Sequence, residues 1–299
     1  MDYARFEWKS DYNIGVEIVD KAHKQLCSIL NRLVDNLQWG DPQSNKRTCM
    51  EAIKYLKDYT IKHFAEEEEY QQSIGFHGYS KHKQMHDNMR DIVIPALERE
   101  MESKDYSLAS IKHFTGAYTG WFMHHVLIDD QAIVGKVRSK WLYSANADKV
   151  TILEDRAKVL IYGLFQMQAE LVSHQYDGYE IDEAFYCEAV FKDETERILY
   201  RGTLAIEMEL LLASLSAIMN KDIKEIDDVI APMATSLASS FISDVTKSFA
   251  AKHLSTISTT VLQRADFYAE FDDVYPDYSL LWRTDHGYFA FCLNVREQS

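Results

Sequence analysis

The sequence predicts two parts: a mainly α N-terminal four-helix up-down bundle over residues 1–143, and a C-terminal α+β domain over residues 150–299. Three observations predict this. The first 130 residues hold four amphipathic stretches separated by short breaks, the pattern of antiparallel helices. After residue 150, helical stretches alternate with β-branched runs, the pattern of an α+β domain. At 299 residues with 46% hydrophobic content, the chain is long and apolar enough for about two cores.

In the first half the predicted helices lie at about 18–38, 44–72, 78–102 and 107–128, with breaks at WGDPQSN (39–45), SIGFHGYS (73–80) and ESKDYS (102–107). Ile18, Ala22, Leu26, Ile29, Leu30, Leu33, Val34 and Leu37 recur at three- and four-residue steps, a buried helical stripe. Pro95 falls inside the third stretch and is expected to kink it or end its regular part, because it lacks the N–H that the helix needs.

The polar stretch SANADK (144–149) marks the exit from the bundle. Residues 150–175 are expected to form a long connecting helix, with Val150, Leu153, Val159, Leu160, Leu164, Met167 and Leu171 available for packing. Strands are expected at 183–191 and 197–207 around a KDETE turn, then helices at 208–219 and 226–252. Closing strands are expected at 255–263, 266–271, 279–284 and 287–295, the last two joined by TDHG.

Charge is uneven. Residues 1–146 carry 19 basic and 21 acidic side chains, whereas residues 147–299 carry 13 and 26, so nearly all of the net charge of −15 belongs to the second half. Such a surface argues against nucleic acid or an anionic membrane as partner. No apolar run approaches the ~20 residues of a membrane span, and MDYARFEWKS lacks the basic and apolar regions of a signal peptide. A cytoplasmic location is expected. Cys27, Cys49, Cys187 and Cys292 lack CxxC spacing and are expected to be buried free thiols. There is no GxxxxGK[ST], GxGxxG or GxSxG, which leaves nucleotide binding and serine hydrolysis without support.

Histidine is skewed the other way, with eight of eleven at or before position 125. His63 with Glu67, and His82 with His86, are four apart, so each pair projects from one helical face. His23 lies on the first helix; His125 and Asp130 lie on and just past the fourth. Five imidazoles and two carboxylates without a thiolate suit iron, zinc or manganese, in number enough for two ions. HFAEE lacks the HExxH pattern of a zinc protease. His77, His113 and His124 fall outside this set and read as ordinary histidines.

FEWKSDYNIGVEIVDKAHKQL, YTIKHFAEEEEY, YSKHKQMH and WFMHHVLIDD together resemble the bacterial hemerythrins, over about residues 5–136. The resemblance implies a non-haem di-iron centre with one iron held by His82, His86 and His125, a second by His23 and His63, and Glu67 and Asp130 bridging both. It implies dioxygen bound reversibly at the iron with fewer histidines, and no substrate turned over. Trp8, Trp121 and Phe122 are candidates for walls of the oxygen pocket or for plain core aromatics; Ile18, Leu26 and Phe64 are similarly open. His125 and Asp130 stand five apart, about 140° around a regular helix. The backbone between them is therefore expected to unwind or form a π-type turn, with Asp129 the rival ligand at a regular step.

The order of elements after residue 150 is similar to the chemotaxis phosphatases of the CheC and CheX type. Their helix carries a Glu and an Asn three residues apart, but in IDDVIAPMATSLASSF the aligned positions hold Ser236 and Ser239. The catalytic pair is absent, so no phosphatase activity is expected and the protein is not expected to be an enzyme. Binding or dimerisation is the expectation instead. Two functions follow. One is an oxygen or redox sensor that regulates a response regulator or other chemotaxis signalling protein, or its own homodimerisation, through the C-terminal domain, with the 150–175 helix as the coupling element. The other is oxygen or iron storage or delivery with a C-terminal oligomerisation module. A di-iron oxidase is a third, disfavoured by the histidine-rich ligand set.

Overall fold

The computed structural model describes residues 5–39, 42–137, 148–178, 181, 183–273 and 275–297. The chain divides into two compact units, Met1–Ser139 with Ile218–Met233, and Lys140–Ala217 with Ala234–Ser299. Ile218–Met233, which the expected 1–143 and 150–299 partition places in the second half, packs with the first unit. Most of the SANADK stretch lies outside the described residues.

In the first unit, α1 is Glu17–Trp39, α2 is Pro42–Ser73, α3 is Tyr79–Asn88, α4 is Ile94–Ser103, α5 is Leu108–His124 and α6 is Asp130–Ile133. A π-helical turn at Met89–Val93 joins α3 to α4, and a second at His125–Asp129 joins α5 to α6, which leaves four continuous rods. α1 packs on α2 and α5, α4 on α5, and α2 on α3, closing the bundle. Val19, Ala22, Leu26, Leu30, Leu33 and Val34 face the core of this bundle. Each Val and Leu among them contributes about 1.5–3 kcal/mol by leaving water. Ile18 points outward and is exposed, since it stands one step off that stripe.

Local chemistry explains the ends and breaks. Asp20 accepts from the backbone N–H groups of Ile14 and Gly15 at 2.7 and 3.0 Å, which fixes the chain entering α1. Ser107 caps α5 by accepting from Ser110 N–H. Pro95 stands in the first turn of α4, directly after the π turn. The widened turn accommodates the ring and missing N–H where a regular ladder would clash.

After the bundle, α7 is Lys149–Phe165, β1 Glu170–Ser173, β2 Ala184–Asp193, β3 Ile198–Glu207, α8 Met208–Met219, α9 Ile230–Ala250, β4 Leu254–Leu262, α10 Arg264–Asp273, β5 Tyr278–Thr284 and β6 Gly287–Glu297, all in the second unit except the end of α8 and the start of α9, which fall within Ile218–Met233. The sheet is antiparallel, in the order β1-β5-β6-β3-β2-β4. Gly202 on β3 lies under α9, where an added Cβ would stand 2.5 Å from Ile242 Cγ2. The other face holds a cluster of Tyr176, Ile181, Tyr186, Ala205, Phe267, Leu281, Ala290 and Cys292.

Two expectations fail here. The 150–175 helix ends at Phe165, because Gln166 turns left-handed at φ 56°. Residues 170–173 then form β1, pairing Glu170 with Arg283 and Leu171 with Trp282. The run expected as a strand at 266–271 is helical, part of α10. Phe267 and Phe271 share a helical face and meet with ring centroids 5.4 Å apart. All four cysteines are buried thiols, outside any disulfide.

Candidate metal centre

Each helical rod of the bundle supplies a part. His23 comes from the second turn of α1, His63 and Glu67 from α2, His82 and His86 from α3, and His125 and Asp130 from the two ends of the second π turn. All seven are buried, with none more than 3% exposed. Their Nε2 atoms converge: His23 and His63 approach to 3.1 Å, and so do His82 and His86. Glu67 Oε1 lies 2.8 Å from His82 Nε2, and Glu67 Oε2 lies 3.4 and 3.5 Å from those of His63 and His125. Asp130 Oδ2 lies 3.1 Å from His23 Nε2 and 3.3 Å from His125 Nε2, while its Oδ1 lies 3.4 Å from His82 Nε2.

The donors fall into two overlapping groups, His23, His63, Glu67, His125 and Asp130 in one, and Glu67, His82, His86 and His125 in the other. Glu67 and His125 stand in both. Glu67 therefore lies between the two imidazole clusters, and Asp130 reaches toward both, with Oδ2 on His23 and Oδ1 on His82.

The five-residue step from His125 to Asp130 is bridged by π-helical backbone, which adds one residue to the turn and returns Asp130 to the face of His125. Asp129 instead meets His124 Nδ1 at 3.2 Å. His113 pairs with Glu100, and His77 is exposed.

The electrostatics fit a metal site. Burial drives His23 down to about 3 and lowers His63 and His86 well below the ordinary imidazole range. Burial acts in the same sense on His82 and His125, but the facing carboxylates of Glu67 and Asp130 overcome it and raise both. Burial, then Glu67, pushes Asp130 well up. Glu67 Oε2, His125 Nε2 and both oxygens of Asp130 are buried without a hydrogen-bond partner. Buried lone pairs left in this way are costly, and cations coordinated between them would satisfy them.

The family model described as "Hemerythrin HHE cation binding domain" matches residues 14–137. That segment is a hemerythrin domain. It is similar to the bacteriohemerythrin of Stenotrophomonas maltophilia, 27% identical over 132 residues that cover 44% of this chain and 81% of that protein. It is also similar to those of Pseudomonas aeruginosa, 28% identical with 45% and 83% covered, and Clostridium acetobutylicum, 28% identical with 43% and 98% covered. Among solved structures, the chain is similar to the chemotaxis protein CheX of Vibrio vulnificus, at 7% identity and a TM-score of 0.39, covering 50% of this chain and 100% of that one. A chemotaxis protein of Desulfovibrio vulgaris Hildenborough gives 9% identity, a TM-score of 0.37, and 51% and 100% covered.

Around the candidate ligands, the hemerythrin domain packs aromatic rings. Trp121 stacks on His125 with centroids 4.8 Å apart and planes at 17°, and Phe64 stacks on His86 at 3.8 Å and 5°. Trp8 lies 5.8 Å from His23, and Phe122 lies 6.0 Å from it. Leu26 is buried in the same bundle. Two close neighbours of the centre carry no histidine signal and were missed in sequence. Gln71 donates to Glu67 Oε1 at 2.5 Å, and Glu68 faces His86. The step of four from Glu67 to Gln71 was the available clue, since it continues the face that starts at His63. Among the described residues no helix is long and apolar enough to cross a membrane.

Proposed function

We propose that the hemerythrin domain binds dioxygen reversibly at two iron ions. His82, His86 and His125 would hold one, His23 and His63 the other, with Glu67 and Asp130 shared. The observation that supports this best is the convergence of five Nε2 atoms on two buried carboxylates, of which Oε2 of Glu67 and both oxygens of Asp130 lack hydrogen-bond partners. Iron supplies the electrons that dioxygen accepts and returns. The chain supplies neutral donors: five imidazoles against two carboxylates disfavour the higher-valent states of oxidases. Stacked Trp121 and Phe64 and buried Phe122 keep water from the centre. Adding and then removing oxygen while recording the optical spectrum of the iron-loaded protein tests the reading. A charge-transfer band that appears and disappears with oxygen is expected; irreversible decay coupled to oxidation of an added substrate would replace it with an oxidase.

The role we favour is sensing, with the second unit engaging a signalling partner or a second copy of the chain, and without catalysis by the second unit. One observation favours it over storage. The segment Ile218–Met233 folds with the bundle although the chain on both sides of it belongs to the second unit. Gly116 of α5 lies against Val229 and Pro232, and Lys112 of α5 pairs with Asp228 at 3.0 Å. A shift of α5, which leads to His125, reaches this segment directly. It replaces the expected long helix as the element that both states would have to bias. Sedimentation of deoxygenated and oxygenated protein tests it: a ligand-dependent change in self-association supports sensing, and equal behaviour, together with unchanged binding of phosphorylated and unphosphorylated response-regulator receiver domains, supports storage or delivery.

A further inference from the structure

The ligand histidines differ in what stands behind them. Nδ1 of His23, His63 and His125 has no hydrogen-bond partner. Nδ1 of His86, by contrast, lies 3.0 Å from Oε1 of Glu68, on the neighbouring helix α2. Glu68 follows Glu67 directly, so the helical turn that points Glu67 into the centre points Glu68 across the α2–α3 seam. Its side chain is only 13% exposed, and Lys83 stands 3.4 Å from its other oxygen. Lys83 in turn meets Asp87 at 2.8 Å, and Asp87 meets Arg90 at 2.8 Å, so the carboxylate is held from the solvent side.

The ring of His86 is thereby fixed in two ways. Phe64, stacked 3.8 Å away at 5°, sets its plane. Glu68, which when ionised can accept but not donate, sets its rotation and its tautomer: the proton sits on Nδ1, and the Nε2 lone pair faces the centre. A carboxylate behind a ligating imidazole also raises the donor strength of the far nitrogen.

We propose that Glu68 is a positioning residue of the metal centre, which holds His86 as the Nδ1–H tautomer and strengthens its grip on one ion. The proposal rests on the di-iron reading of the site. It makes the two ions unequal in how firmly the protein retains them, with the ion on His86 the slower to leave.

The test is release of ferrous iron from the full-length, anaerobically loaded protein to an excess of chelator. The wild type is expected to load two irons and release them in two phases. Glu68→Ala is expected to speed the slower phase by about 10–100-fold, the usual effect of losing such a partner. Glu68→Gln, which keeps an acceptor oxygen but not the charge, should fall between them. Lys83→Met should stay within about twofold of the wild type, and the thermal midpoint of the metal-free Glu68→Gln protein should match that of the wild type. Release from Glu68→Ala within twofold of the wild type overturns the proposal, and so does equal acceleration by Lys83→Met. If the alanine variant does not fold, Glu68→Gln decides, and unchanged release from it overturns the proposal. A wild type that loads no iron overturns the di-iron reading itself and the proposal with it.

Discussion

His125 and Asp130 stand five residues apart and still bring Nε2 and Oδ2 to 3.3 Å, because the helix between them is wound with a π turn. The extra residue in that turn carries Asp129 away to His124. Asp130→Asn should therefore cost the protein at least one of two irons, whereas Asp129→Asn should retain both. Metal analysis of the two variants checks this, and the opposite result would make Asp129 the ligand.

Metal uptake should be pH-dependent, in a direction the site fixes. His23, His63 and His86 are lowered by burial and are neutral imidazoles, without a second ring proton, near neutral pH. His82 and His125 are raised by Glu67 and Asp130, against the pull of burial, so their protons persist above pH 6.5. For these two, the stabilisation of the metal-free fold is complete below pH 6.5 and is lost as pH rises through their folded values. An incoming ion must displace those protons, so its affinity rises with pH across the same window. Proton release on iron addition, followed with an indicator, should be larger at about pH 6.5 than at about pH 8.5.

Gly116→Ala would place a Cβ 2.4 Å from the carbonyl oxygen of Val229 and 2.6 Å from Cγ of Pro232. The helix gains about 1 kcal/mol from losing a glycine, but overpacking against backbone costs about 1–3 kcal/mol. A net loss of stability is expected, seen as a lower denaturant midpoint, with iron content unchanged because the clash lies two turns from His125.

In the second unit Arg156 and Asp244 form a buried ion pair, with Nη2 and Oδ2 at 2.8 Å and both side chains at most 1% exposed. Arg156→Met would remove the cation that faces the buried carboxylate and is expected to cost about 3–5 kcal/mol. Arg156→Met with Asp244→Leu removes both charges and should recover most of that loss. Unfolding followed by tryptophan fluorescence, to which buried Trp282 of this unit contributes, checks the pair.

The four helices were legible because burial on one face imposes a period that the sequence must show, whereas β2, β3, β5 and β6, with consecutive residues buried on both faces, were legible as β-branched and aromatic runs between turn signals. The helix α10 was misassigned since Phe267, Ala269 and Phe271 alternate as a strand would, and only their packing chose the 3.6-residue period. β1 was hidden inside an apolar helical pattern: Leu171 continues the α7 stripe, but the left-handed turn at Gln166 stops the helix and pairing with β5 takes over.

His63 with Glu67 and His82 with His86 were legible in the sequence by themselves, because donors at four-residue steps on an amphipathic helix project to one face whatever surrounds them, while His23, His125 and Asp130 joined them through the resemblance to the bacterial hemerythrins. The sequence also required irregular backbone between His125 and Asp130. Only the tertiary structure decided the rest: which of two adjacent aspartates turns inward, that Glu68 reaches His86 on another helix, that Trp121 and Phe64 stack on ligand rings, and that Ile218–Met233 folds with the bundle. Periodicity is a property of one helix and is written along the chain. A contact between residues far apart in sequence depends on where two helices cross, and no local pattern encodes that.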